Sequence, residues 1–404
     1  MKPDQHSTAT HVLIIVENLP VPADRRVWLE ATTLKQAGYE VSVICPTGRG
    51  YERTYEVLDG IHVYRHPLKE AASPAAYISE YLTALYHELR LAARVWRRRP
   101  FQIVHICNPP DLLFLVAAWF RVFHGARVIF DHHDLSPELY VTKYGKKGLI
   151  HSALKLFEWL TFRTAHTVIS TNESYRKIAL SRGGKSNKDV FVVRSGPDIQ
   201  NFVRNDDIPP TPGVTVGYVG VVAEQDGVEL LIDAMKHLVS MAPELQINLV
   251  VVGDGPSLEA LKIRTQNSGL SDLVTFTGFL TGQQFLDTVS TFDIGVCPDP
   301  KNPYNDKCTM NKILEYMALG IPVVQFDLTE GRYSAANASL YAEPNSPHSL
   351  AERILELARD AEAREVMGQL GRERMRTKLS WEHSAPNLLN AYSHTFTEAS
   401  GLKS

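Results

Sequence analysis

Cysteine is scarce in this 404-residue chain, and the four present, Cys45, Cys107, Cys297 and Cys308, show neither a CxxC pair nor a disulfide-rich spacing. That excludes a disulfide-stapled fold and points to reduced, mostly structural thiols. Long apolar runs are missing too. The longest, Leu112 to Phe120, falls far below the roughly 18 to 20 residues that a membrane span requires. The opening MKPDQHSTATH is polar, so no signal peptide is expected and a cytoplasmic protein follows. Net charge is only −3, and no nucleic-acid partner is expected. No internal repeat or low-complexity segment interrupts the chain.

What is present is a soluble globular balance, 44% hydrophobic and 22% charged, over a length that suits two domains of roughly 150 to 200 residues each. The charge is unevenly spread: residues 1–200 hold 26 Lys plus Arg against 19 Asp plus Glu, and the remainder 16 against 26. A basic N-terminal half suits an anionic acceptor or a membrane surface. Residues 80–100, ending in Arg94, Arg97, Arg98 and Arg99, and residues 144–163, with Lys146, Lys147, Lys155 and Arg163, read as basic amphipathic helices able to lie on anionic lipid. The plainer alternative is a helix with one face in the core and the other in water.

Short apolar runs bounded by turns recur along the chain. HVLIIVE from His11, VSVICP from Val41, FQIVHIC, ARVIFD, TVIST near Thr167 and FVVRSG near Phe191 predict strands buried on both faces. Helices fall between them, the first predicted over VWLEATTLKQAG after the loop NLPVPADRR, another from Asp111 to about Phe123. RNDDIPPTPG, residues 204–213, reads as a linker, after which the alternation restarts with VTVGYVGVV, INLVVVGDG, LVTFTGFL and DIGVCPD as strands. The expected class is therefore α/β, two Rossmann-like doubly wound domains whose ligands sit beyond the carboxyl ends of the strands. The expected division is 1–203 and 204–380, with a returning C-terminal helix over about 381–398 added to the first.

DKCTMNKILEYMALGIPVV, residues 306–324, combines a loop, a helix start, an acidic side chain and a strand. Thr309 or Asn311 is expected to cap a helix with Ile313, Leu314, Met317 and Ala318 on one face, ended by Gly320 and Pro322 before a strand at Val323. Unsatisfied backbone N–H groups from Met310 to Lys312 and the positive end of the helix dipole suit a phosphate, and Glu315 a turn later suits ribose hydroxyls. FDHHDLSPE, residues 130–138, places His132, His133, Asp134 and Glu138 just after a strand. Adjacent histidines on an extended turn point apart and no HxH or HxxxH partner accompanies them, so no metal is expected.

KILEYMALGIPVV resembles the donor-site segment of family 4 retaining glycosyltransferases of the GT-B fold, two Rossmann-like domains facing an interdomain cleft. The resemblance runs from about His11 to Tyr392. It implies a nucleotide diphosphate sugar bound to the C-terminal domain through Glu315, Lys312, Lys307, Asn311, Met310, Gly220 and Gly278, with no cofactor and no bound metal. FDHHDLSPE resembles the family's His-Asp turn, which implies His133 at a hydroxyl of the donor sugar and Asp134 orienting it or binding acceptor. Arg25 and Arg26 in the first loop are candidates for a donor or acceptor phosphate, with Glu138 a further acceptor candidate; the alternative for one arginine is an i,i+4 pairing with Glu30. Three positions depart from the pattern: Lys307 stands where the family's first glutamate falls, and Val221 and Asp226 where an Arg and a Lys meet the diphosphate. Lys312 and Lys307 are the expected replacements, and Gly217, Gly220 and Gly227 are expected to let the backbone approach phosphate. The implied activity is transfer to a saccharide or lipid-linked saccharide acceptor in envelope or exopolysaccharide assembly, peripheral on the inner face of the cell membrane. A GT-B sugar-nucleotide epimerase and a catalytically inactive binding or scaffold protein are the alternatives.

Overall fold

The computed structural model describes residues 9–68, 74–200, 202–205, 207–209 and 211–400, the side chains of 74–80 and 397–400 excepted. The polar opening stretch before residue 9 therefore lies outside the described residues. The chain divides into two compact units. The first takes the residues up to Val141, Lys146–Val193 and those from Ser384 on; the second takes Thr142–Gly145 and Arg194–His383. The division falls after Val193, ahead of the Pro-rich linker that the sequence suggested at 204–213, and again inside the helix Trp381–Ser400.

The first unit is built on eight strands: β1 (His11–Val16), β2 (Glu40–Pro46), β3 (Tyr55–Leu58), β4 (Ile61–His66), β5 (Ile103–Cys107), β6 (Arg127–His132), β7 (Thr167–Ser170) and β8 (Val190–Val192). Their order is β3-β4-β2-β1-β5-β6-β7-β8, all parallel except β3 against β4. β1 and β5 are buried along their whole length, as expected of central strands covered by helices on both faces. Strand order reverses between β1 and β5, and register places Val16 beside Cys107 and Cys107 beside Asp131 at that switch point.

The second unit has six parallel strands, β9 (Val214–Val219), β10 (Ile247–Val252), β11 (Val274–Gly278), β12 (Ile294–Cys297), β13 (Val323–Phe326) and β14 (Ser339–Ala342), in the order β11-β10-β9-β12-β13-β14. Here the reversal lies between β9 and β12, where Gly217 pairs with Gly295. The helix Asn311–Leu319 covers that point and buries Ile313, Leu314, Tyr316 and Met317. No helix among the described residues is long and apolar enough to cross a membrane.

Two helix starts differ from expectation. The first helix spans Arg25–Gln36, so Arg25 and Arg26 belong to it; Asp24 caps it by accepting from the Val27 N–H at 3.1 Å. An Asp three residues ahead of Val27 is placed to accept from that N–H, which sets the boundary before the arginines. At Asn311–Leu319 the cap position is Met310, and no side chain caps the helix. Gly320 ends it at φ 72°, where an added Cβ would lie 2.2 Å from Arg372 Nε.

Candidate functional site

In the first unit, β6 ends at Asp131 and His132 with His133 next in the chain, and extended-backbone alternation sends the middle residue one way and its neighbours the other. His132 is fully buried among the rings of Phe130, Phe162 and Tyr175, and burial pushes it down to about 3. It is a neutral core residue. His133 is half-buried on the opposite side, its Nε2 in hydrogen-bond contact with Asp131 Oδ2. Asn108, after β5, clamps the same turn: its Oδ1 accepts from the N–H of His133 at 2.8 Å and of Asp134 at 3.2 Å, and its Nδ2 donates to the Asp134 carbonyl at 2.8 Å.

Arg26 is buried and gives its guanidinium to Asp131 through Nε at 2.9 Å and Nη2 at 2.7 Å, to Glu30 at 3.3 Å and to the Val193 carbonyl at 2.8 Å. Of the two roles the sequence allows it, the structure takes the i,i+4 pairing with Glu30. A phosphate site on Arg26 is corrected, because its donors already satisfy buried acceptors. Arg25 is exposed. Glu138 is held by Arg182 at 2.7 and 3.1 Å, so it forms a structural ion pair.

Burial alone would raise Asp131, but the Arg26 charge, helped by hydrogen bonds from the neighbouring imidazoles, outweighs it and holds the carboxyl well below its ordinary range. Glu30 goes the other way, pushed well up by burial and then by the Asp131 charge. Glu30, His105, Cys107 and Asp131 are all buried, and their ligand atoms lie within 4.8 Å of one another, a donor set of the kind that takes a metal. The Arg26 guanidinium already brings positive charge to both carboxylates.

In the second unit the helix start at 310–312 carries a different arrangement from the one the sequence suggests. Lys312 is buried, its Nζ 2.7 Å from Asp299 Oδ2 and 5.0 Å from the centre of the Tyr218 ring. Burial would lower it, yet the Asp299 charge more than offsets this and holds the ammonium well above its ordinary value. Lys312 thus pairs with a protein carboxylate at the helix start where the sequence suggests a cation for diphosphate. Lys307 is half-exposed and donates to the Pro303 carbonyl at 2.6 Å. Glu315 is half-buried. Val221 is 53% exposed, and Asp226, in place of the family's lysine, is pushed up to about 6 by burial.

The glycines divide by cause. A Cβ on Gly217 would lie 1.8 Å from the Phe292 ring and one on Gly227 2.2 Å from the Pro298 carbonyl oxygen, so both are explained by packing and not by phosphate. Gly220, at φ 152°, sits against Tyr218 and Lys312, whereas Gly278, at φ 74°, faces open space. Sequence reading passed over Arg194, Asp299 and Glu330. Arg194 is buried, bonded to Glu330 at 3.3 Å and to Thr309 Oγ1 at 3.4 Å, with Tyr333 under its guanidinium at 4.2 Å. Glu330 is 136 residues distant from it, so no local spacing signals the pair. Asp131 was passed over too, although its place at i,i+2 from His133 is a signal that could have found it.

Residues 23–196 match the glycosyl transferase 4-like domain, and residues 213–360 match glycosyl transferases group 1. The chain belongs to these families of GT-B glycosyltransferases. Among individual relatives, an uncharacterised glycosyltransferase of Methanocaldococcus jannaschii is 24% identical over 385 residues, covering 90% of this chain and 91% of that protein. Sucrose-phosphate synthase from Thermosynechococcus elongatus has a TM-score of 0.79 at 20% identity, over 96% of this chain and 100% of the other. The Anabaena protein HepE, solved with UDP and glucose, has a TM-score of 0.72 at 14% identity, over 95% and 99%. The epimerase and scaffold readings are not favoured by these likenesses.

Proposed function

We propose that this glycosyltransferase retains anomeric configuration, works without a bound metal, and moves a hexosyl group from a nucleotide diphosphate sugar to a saccharide or lipid-linked saccharide in envelope or exopolysaccharide assembly. The donor binds the second unit and the acceptor the first. One observation carries the donor site: the helix Asn311–Leu319 starts at Met310 with no capping side chain, and Glu315 stands half-buried one turn later. Uncapped N–H groups and the helix dipole attract the diphosphate, and the Glu315 carboxylate accepts from ribose hydroxyls. Lys307 adds charge at the rim, and Gly278 leaves backbone open to the base. His133 meets a sugar hydroxyl and Asp134 the acceptor. Charge developing on the departing diphosphate is stabilised by preorganised dipoles.

The test is a thermal-shift panel of UDP, GDP, ADP and dTDP sugars. One of them should raise Tm by roughly 5 °C or more at a hundredfold excess over Kd. Glu315→Ala should fold normally and lose that shift. A wild-type protein that responds to none of the four would end the donor-site reading.

Membrane contact is the finer part of the proposal. Leu115, Trp119 and Val122 line one exposed stripe of the helix Phe114–His124, and Leu149, Leu156 and Trp159 one of Leu149–Thr164. Arg121 ties the two together by donating to the Thr164 carbonyl at 2.6 Å, and exposed Lys146, Lys147, Lys155 and Arg163 accompany the second. Apolar stripes with indoles and cations suit an anionic bilayer surface, bringing the first unit to a lipid-linked acceptor on the inner face of the cell membrane. Co-flotation with vesicles containing phosphatidylglycerol should succeed, fail with purely zwitterionic vesicles, and fall about tenfold in Trp119→Ser/Trp159→Ser. Equal flotation of wild type and double variant would discard these stripes as the contact.

A further inference from the structure

We propose that Asp131, gripped by Arg26, is the positioning residue of His133, fixing its ring so that Nε2–H points at the carboxylate and Nδ1 is left to accept a hydrogen bond from substrate. The inference rests on the reading of His133 as the contact to the donor sugar, and extends it to the tautomer and to the groups that impose it.

Three observations assign the proton. Arg26 Nε–H reaches two acceptors, Asp131 Oδ2 at 2.9 Å and His133 Nε2 at 3.0 Å, and of these the carboxylate carries the negative charge and is the stronger acceptor for the one hydrogen. His133 Nε2 also contacts that same oxygen. Two lone pairs facing each other across such a contact would repel, so the imidazole proton sits between them. Nδ1 makes no hydrogen bond to a described residue, and the side chain as a whole is 14% exposed.

The carboxylate cannot turn away, because the layer beneath it is fixed. Arg26 holds both of its oxygens and is itself anchored on the Val193 carbonyl at 2.8 Å. His105 approaches Asp131 Oδ2 through Nε2 at 3.7 Å and Glu30 through the same atom at 3.8 Å. Its Nδ1 is 2.7 Å from the Tyr392 hydroxyl. If Tyr392 donates to Nδ1, His105 presents Nε2–H to both carboxylates, the favourable orientation for a neutral imidazole. The Asn108 clamp on the N–H groups of His133 and Asp134 fixes the backbone in the same way. A ring held from both its own side chain and its backbone loses little freedom when a sugar hydroxyl arrives, which is where the affinity comes from.

The experiment is long-range 1H–15N NMR on the full-length protein labelled at histidine nitrogens, with the His133 signals assigned by their loss in His133→Gln. In wild type at pH 8 we expect a single Nε2–H tautomer with an unprotonated Nδ1. An Nδ1–H tautomer, or an averaged mixture of the two, overturns the proposal without any need of a variant. With the nucleotide sugar selected by the panel above, the ratio of its affinity to that of its nucleoside diphosphate should fall about tenfold in Asp131→Asn, the size of one hydrogen bond. The affinity of the diphosphate alone should stay unchanged in a folded variant. If His133→Gln leaves that ratio intact, the reading of His133 as the sugar contact fails; if His133→Gln lowers it and Asp131→Asn does not, the positioning role alone fails. Elemental analysis finding one equivalent of zinc or iron, lost in Cys107→Ser, would also overturn it, since a metal on Glu30, His105, Cys107 and Asp131 would take the carboxylate from His133.

Discussion

Arg26→Met should destabilise the protein by about 3–5 kcal/mol, the cost of leaving a buried carboxylate without its partner. Asp131 is fully buried and receives two N–H bonds from this one guanidinium, at 2.9 and 2.7 Å, and Glu30 lies 3.3 Å away. Methionine keeps the packing of the stem and removes every donor. In urea the midpoint should fall accordingly, whereas Arg25→Met, one residue earlier and exposed, should stay within about 0.5 kcal/mol. The gap between wild type and variant has a pH signature. Asp131 is held well below its ordinary range, so its contribution is present above the unfolded carboxylate value near 4 and is lost as pH falls through the folded one. The difference between the two proteins should therefore narrow below about pH 4. A loss under 1 kcal/mol at pH 7 would show that Arg26 does not carry this charge.

Lys312→Met should be comparably damaging in the second unit, again about 3–5 kcal/mol, because it strands Asp299. Asp299 is 2% exposed and its other close contact is the Cys297 thiol, whose Sγ is 2.9 Å from the same oxygen. Lys312→Met/Asp299→Leu should recover most of the loss, since exchanging both charges for apolar groups leaves nothing buried and unpaired. The cycle separates two readings of the lysine. If it pairs with Asp299, the coupling between the positions is large and the double variant folds near wild-type stability. If instead it is held for a phosphate, Lys312→Met alone is tolerated and only nucleotide affinity drops. Glu315→Ala belongs in the same series as the change that removes donor affinity.

Local pattern carried the reading far where one element decides. The apolar runs at His11 and Ile103 became central strands because both faces of a parallel sheet are covered, and Gly320 ended its helix because only glycine is comfortable at φ 72°. The turn FDHHDLSPE was legible as well. Alternation along a strand end fixes that His132 and His133 face opposite ways, and the same rule puts Asp131 with His133.

Charge was where the sequence misled. Arg26 and Lys312 sit at positions where a ligand phosphate would be welcome, and their residue types permit that role. Whether a cation is available depends on which carboxylates burial leaves beside it: Asp131 lies 105 residues from Arg26 along the chain, and Asp299 comes to Lys312 from the end of another strand. A side chain's identity sets what it can donate; the desolvation of its neighbours sets to whom it must. The sequence by itself thus determined the two α/β sheets, because these follow from periodicity and turn chemistry within a few residues, and its motifs carried the resemblance that the family matches bear out. Only the tertiary structure decided which buried charges pair with one another and which glycines serve packing, because those depend on which groups the fold brings side by side.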